Sequence, residues 1–158
     1  MYLRSPVLLF FLAKRECPFR NNYISQERRN TMGLDQYAYR VRKNAVVNSL
    51  KFKSQIDGVD TYEEIQYWRK VPNLQGWMEK LYRKKGGKAE DFNCTPVQLT
   101  EADLDNLEKD VKAKKLPATS GFFFGTHYDS DMPSILTFIE KARAVLKEGD
   151  AVYYDSWW

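Results

Sequence analysis

Hydrophobic residues along this chain recur with two periods, and the switching between them predicts its elements. Over residues 34–41, Asp35, Tyr37, Tyr39 and Val41 alternate with Leu34, Gln36, Ala38 and Arg40. A period of two with β-favouring aromatics predicts a strand half-buried on its tyrosine side. Residues 44–60 are mixed, with a single turn signal at Asp57-Gly58. Residues 62–70 fit a strand or a helix equally well. Pro72-Asn73 then opens a helix in which Leu74, Trp77, Met78, Leu81 and Tyr82 form one apolar stripe. Asn73 is its expected N-cap and Gly86-Gly87 its stop.

Residues 92–99 read as a short strand, with Pro96 arguing for an edge or an irregular start. Thr100-Glu101-Ala102-Asp103 resembles a capping box with Asp in the Glu position. The helix behind it buries Leu104, Leu107 and Val111, carries Lys112, Lys114 and Lys115 near its end, and stops at Leu116-Pro117. Gly121-Phe122-Phe123-Phe124-Gly125 is a continuous apolar run between glycines, the pattern of a strand covered on both faces. Ile135, Phe138, Ile139, Ala142, Val145 and Leu146 give the strongest helical period, ended by Gly149. The last stretch, Ala151-Val152-Tyr153-Tyr154-Asp155-Ser156-Trp157-Trp158, predicts a strand docked inside a sheet, because rings of this size gain kilocalories on burial. Residues 121–125 are its expected companion. This alternation predicts an α+β fold: an α/β sandwich with a mixed sheet of about four to five strands and three helices packed on it.

Residues 1–31 stand apart. Val7-Leu8-Leu9-Phe10-Phe11-Leu12-Ala13 is an apolar run far short of the roughly 20 residues that span a bilayer. Met32 opens the sharply patterned part, which favours a natural start there, with residues 1–31 a leader translated from upstream. A short secretory signal and a genuine tail or surface helix are the other readings. Residues 32–158 form a single domain.

Composition narrows the class. With 43% hydrophobic and 15% aromatic residues, the 158-residue chain is rich enough for a folded core. The net charge of +4 suggests a polyanion partner, but its placement removes most of that signal. Six of the 25 basic residues and only two of the 21 acidic ones fall in residues 1–31, so the body is neutral. Within the body, residues 32–99 are net basic and residues 100–158 net acidic. Cys17 and Cys94 supply neither a disulfide framework nor metal-ligand spacing, which makes a reducing cytosol the default setting.

Several blocks carry a resemblance. They are Met32-Gly33-Leu34-Asp35-Gln36-Tyr37-Ala38-Tyr39, Tyr67-Trp68-Arg69-Lys70 with Pro72-Asn73-Leu74-Gln75-Gly76-Trp77-Met78-Glu79, Phe92-Asn93-Cys94, Leu116-Pro117-Ala118-Thr119-Ser120 with the following Phe run, and the terminal Val152-Tyr153-Tyr154-Asp155-Ser156-Trp157-Trp158. Together they resemble a family of small bacteriophage and bacterial proteins that open on Gly-Leu-Asp-x-Tyr-Ala-Tyr and close on Tyr-Tyr-Asp-Ser-Trp-Trp. The resemblance covers residues 32–158 and implies a start at Met32 and a phage-type accessory role in the host cytosol. It brings no activity with it. Members are sometimes labelled phosphoglycerate kinase, but this sequence has neither that enzyme's nucleotide site nor its second lobe.

Candidate chemistry gathers at Tyr67, Trp68 and Arg69, leading into Asn73 at a helix N-terminus. Free N–H groups there suit a phosphate or carboxylate, with Arg69 forked onto it and Tyr67 or Trp68 stacked on a ring. The plainer reading buries Trp68, solvates Arg69 and Lys70 and leaves Asn73 a cap. Ser120, with Thr119 and Gly121, offers donors and a hydroxyl at a strand start, or simply a turn. It has no nucleophile-elbow pattern, and His127 is the lone histidine. His127, Asp129 and Asp131 alternate in a way that suits a divalent ion, although an acidic helix entrance explains them as well, and no metal is expected. Asp35 and Asp155 are the candidate catalytic acids, or else buried carboxylates paired with Arg40 or Arg69. The loop Arg83-Lys84-Lys85-Gly86-Gly87-Lys88 is basic enough to touch a nucleic-acid backbone. No cofactor fingerprint is present. Three functions follow: a binding module for a host protein or small anionic ligand, a small enzyme acting on a nucleotide or phosphorylated metabolite, and a weak nucleic-acid binder.

Overall fold

Tyrosines on alternate positions of one strand, and Tyr-Tyr at the chain's end, need two covered sheet faces. The computed structural model describes residues 33–126 and 129–158; the leader read at residues 1–31, Met32, His127 and Tyr128 lie outside the described residues. The elements run β1 (Asp35–Val41), β2 (Val46–Asn48), β3 (Lys51–Phe52), β4 (Gln55–Ile56), β5 (Val59–Asp60), β6 (Tyr62–Arg69), α1 (Pro72–Lys84), β7 (Val97–Leu99), α2 (Glu101–Lys112), α3 (Met132–Lys147) and β8 (Ala151–Trp157). The class is α+β, as expected.

Four strands form the main sheet in the order β6-β1-β8-β7, and their pairings are all antiparallel. The terminal strand is therefore interior, with β1 on one side and β7 on the other. Its register sets Ala38 opposite Tyr154 and Tyr37 opposite Asp155. On one face Ala38, Trp68, Val152 and Tyr154 pack against the apolar stripes of α1, α2 and α3, including Leu74, Met78, Leu104, Leu107, Phe138 and Ile139. On the other face Tyr37, Tyr39, Ala151 and Tyr153 pack against Phe52, Ala45 and Ile56. Phe52 comes from the β2–β3 hairpin, Ile56 from the β4–β5 hairpin, and Ala45 from the 3-10 turn just before β2. So β1 is buried on both faces, not only on its tyrosine side.

Asp57 and Gly58 turn β4 into β5 with φ of 51° and 76°. Two left-handed residues in a two-residue loop match the right-handed twist of the flanking strands. Thr100 and Asp103 form the expected capping box.

Three further expectations change. Residues 121–125 do not form a strand: Phe124 N donates to Gly121 O at 3.1 Å, closing a turn, and Phe122 is 92% exposed. Three consecutive rings signal burial without saying against what, and here Phe123 and Phe124 lean on Trp158 instead. One backbone bond, Leu34 N to Phe123 O at 2.9 Å, places this turn beside the start of β1. Asn73 does not cap α1. Pro72 takes the first helical position, Val71 is the N-cap, and Asn73 Oδ1 accepts the Thr119 amide at 3.1 Å. Finally, Cys94 is disulfide-bonded, where no structural disulfide was expected.

A buried polar chain fastens α1 to the sheet. Gln36 Nε2 donates to Tyr154 Oη at 2.8 Å, Tyr154 Oη to Gln75 Oε1 at 2.5 Å, and Gln75 Nε2 to Ser156 Oγ at 2.8 Å. Gly76, next to Gln75, faces Thr119; a Cβ there falls 1.9 Å from Thr119 Oγ1 and 2.9 Å from its Cβ. Gly76→Ala is expected to destabilise the fold by about 1–3 kcal/mol, because the 117–120 segment must move off the helix. Urea unfolding measures it, and an unchanged midpoint would mean that Thr119 simply swings aside.

Candidate functional site

A strand of alternating residues separates its neighbours onto opposite faces, and this decides what becomes of Tyr67, Trp68 and Arg69. Tyr67 and Arg69 point to the face of Asp35. Arg69 Nη1 donates to Asp35 Oδ1 at 2.7 Å, and Tyr67 Oη donates to the same oxygen at 2.6 Å. The pairing Asp35↔Arg69 on β1 and β6 puts them there. Burial, then the bond to Asp35, pushes the Tyr67 phenol up. Trp68 faces the helices, edge-on to Phe138, with its indole N–H on Ser134 Oγ at 3.0 Å. It belongs to the core and does not join the Arg69 group. Asn73 is committed to Thr119 as described.

Asp155 lies on the same face as Asp35, one row further along. It sits opposite Tyr37, while Trp157 sits opposite Asp35. The two residues are thus diagonal neighbours, with Cα atoms about 7–8 Å apart in ordinary sheet geometry. Neither expected arginine pairs with Asp155: Arg40 is engaged by Asp150 and Glu148, both at 2.7 Å, and Arg69 by Asp35. Backbone amides hold it instead, Ser156 N at 2.8 Å and Thr95 N. These bonds only partly offset its desolvation. Burial pushes the Asp155 carboxyl up to about 7. The Tyr39 phenol beside it is pushed up by burial and by the Asp155 charge. Thr95 carries a buried hydroxyl with no hydrogen-bond partner among the described residues.

Ser120 stands elsewhere, exposed on the rim of a cleft of about 340 Å³. Phe92, Phe123, Phe124 and Trp158 give this cleft aromatic walls, Phe122 stands at it, and Glu79, Glu90 and Asp91 also line it. No lysine or arginine lines it among the described residues. Its aromatic corner was missed at the sequence level because the Phe run read as interior.

Two cations of the basic loop, Arg83 and Lys85, are engaged. Arg83 donates to Glu79 at 3.0 Å and to the Ala89 and Glu90 carbonyls, and Lys85 bonds Asp103 at 2.6 Å. Burial pushes the Asp103 carboxyl up, but the Lys85 and Thr100 bonds outweigh it and hold the group below the usual carboxylate range. Asp129 reaches Lys114 at 2.7 Å. No group of three His, Cys, Asp or Glu side chains suited to a metal occurs among the described residues. No helix there is long and apolar enough to cross a membrane. No protein-family model, no curated protein and no solved structure matches the chain.

Proposed function

We propose that the protein is a binding module that docks a partner protein at the Phe122–Trp158 corner, a host protein in the phage-type setting that the sequence resemblance implies. One observation carries this reading: Phe122 is 92% exposed beside a cleft with aromatic walls and an acidic rim. A large ring held in water at a loop tip is a ready anchor for an interface. Glu90 and Asp91 disfavour an anion and suit a partner segment that sets a lysine or arginine beside an apolar side chain.

A displayed peptide library tests it, with Phe122→Ser as the comparison bait. Enriched peptides are expected to pair a basic with an aliphatic or aromatic residue. Their affinity is expected to drop by roughly tenfold to a hundredfold in Phe122→Ser, the equivalent of one ring's burial, while the unfolding midpoint stays put. Equal enrichment on both baits would overturn the reading.

Asp155 favours a second reading, a small enzyme with a buried acid/base titrating near neutrality. Two features weigh against it. Asp155 is 3% exposed, and it lines neither the Trp158 cleft nor those at Trp77 and Arg40.

A further inference from the structure

A second cleft, of about 340 Å³, lies where α1 meets the end of α2. Trp77, Lys80, Leu81 and Lys84 come from α1, spaced so that they share one side of the helix. The Trp77 indole N–H donates to Asp110 Oδ2 at 2.9 Å, which fixes the ring's orientation between the two helices. Beyond α2 the chain turns through Lys114 at φ 53°, and Lys115 N donates to Asp110 O at 2.8 Å. That bond holds Lys115 at the cleft, alongside Pro117.

The charges here are unevenly committed. Both acids on the cleft are engaged, Asp103 by Lys85 and Asp110 by Trp77. Other lysines of these segments have acidic partners: Lys85 with Asp103, Lys112 with Glu108 and Lys114 with Asp129. Lys80, Lys84 and Lys115, the three that line the hollow, form no ion pair among the described residues. An oriented indole with an aliphatic and a proline neighbour, surrounded by three uncommitted ammonium groups, is a surface for a ring that carries negative charge.

We propose that this cleft binds a nucleoside phosphate, with its base against Trp77 and its phosphate on Lys80, Lys84 and Lys115. Stacking of a base on an aromatic side chain is worth about 1–3 kcal/mol, and its ring-face contact tolerates any base. Charge-assisted bonds from lysine hold the phosphate. The same chemistry arises from a free nucleotide or from a nucleotide of a single strand. The site lies apart from the Phe122 corner and does not depend on it.

Isothermal titration with AMP, ATP, ribose 5-phosphate, inorganic phosphate and a series of oligo-dT lengths tests the proposal on the full chain. Nucleotides are expected to bind at least fivefold more tightly than ribose 5-phosphate, since only they supply the stacking ring. Lys80→Ala with Lys115→Ala is expected to weaken binding tenfold or more. Both side chains are exposed, so the unfolding midpoint should not move. Phe122→Ser should bind nucleotide like the parent, which separates this site from the docking corner. Affinity that saturates with AMP or ATP identifies a free nucleotide, and affinity that grows with oligonucleotide length and falls steeply with salt identifies a single strand. Absence of binding by every probe at millimolar concentration, or equal binding by parent and double variant, would overturn it.

Discussion

A chain that stops at Asp155 is expected to be molten or insoluble rather than mildly destabilised. The three residues removed, Ser156, Trp157 and Trp158, close one end of the sheet and the buried polar chain together. Ser156 pairs with Gln36 and Trp157 with Asp35 across β1. Ser156 Oγ receives Gln75, and Ser156 O receives the Cys94 amide at 2.8 Å. The Trp158 carbonyl receives Asn93 Nδ2 at 2.8 Å, and its ring supports Phe123 and Phe124. Truncation therefore takes one of two acceptors from the Gln75 amide, buried at 1% exposure, and unpairs backbone groups of Gln36 and Asp35 as well as removing ring burial. Each buried polar group left unpaired costs about 1–3 kcal/mol. With two or three such groups and the lost rings, the deficit approaches the roughly 5–15 kcal/mol that hold an ordinary domain together. Near-UV circular dichroism and urea unfolding report the result. A soluble truncated chain with a single sharp transition would show that β8 does not close the sheet as described.

Replacing Asp155 by Asn is expected to act in the opposite direction. Burial raises this carboxyl from 3.8 to about 7, so the folded chain holds its proton more tightly than the unfolded chain does. Below about pH 4 both states are protonated and the stability linked to this proton is fully present. As pH rises toward 7 the unfolded chain releases the proton while the folded one keeps it, and that stability drains away. Above pH 7 the loss is complete and amounts to about 4 kcal/mol at most. Asparagine occupies nearly the same space and its Oδ1 can still accept the Ser156 amide, without a charge to bury. Asp155→Asn should therefore match the parent near pH 4 and exceed it increasingly up to pH 8. Urea midpoints across that range give the comparison, and two parallel curves would mean that Asp155 is not desolvated. A gain in stability would also explain why an asparagine here is worth testing for lost activity, since functional carboxylates are often destabilising.

The helices were legible because each carries its own evidence. The stripes of α2 and α3, and the box at Thr100 and Asp103, are local signals that tertiary contacts had no reason to override. The end of the chain was legible for a different reason, since Tyr153 and Tyr154 have few stable places outside a core. What was not legible depended on partners distant in sequence. Tyr67, Trp68 and Arg69 read as one group only while residues 62–70 fit helix and strand alike; as a strand, β6 sends Trp68 to the helices and the other two to Asp35. The Arg69–Asp35 pair follows from a register containing a bulge at Ala38/Tyr39, which composition does not announce. The small strands β2 to β5 are two or three residues long, too short for periodicity to register. The Phe122 turn was misread because apolar content measures how much a segment gains from cover, not whether its own chain supplies it.

The bond from Gln36 to Tyr154 joins residues 118 positions apart, and it sits at the seam of the sheet. On a ribosome adding about 5–20 residues per second, β1 waits several seconds for its neighbour to emerge. Through that interval Tyr37 and Tyr39 have only β6 and the small hairpins for company. Nascent chains of this protein are thus expected to lean on chaperones until β8 has emerged, and products stalled before it to be cleared rather than stored.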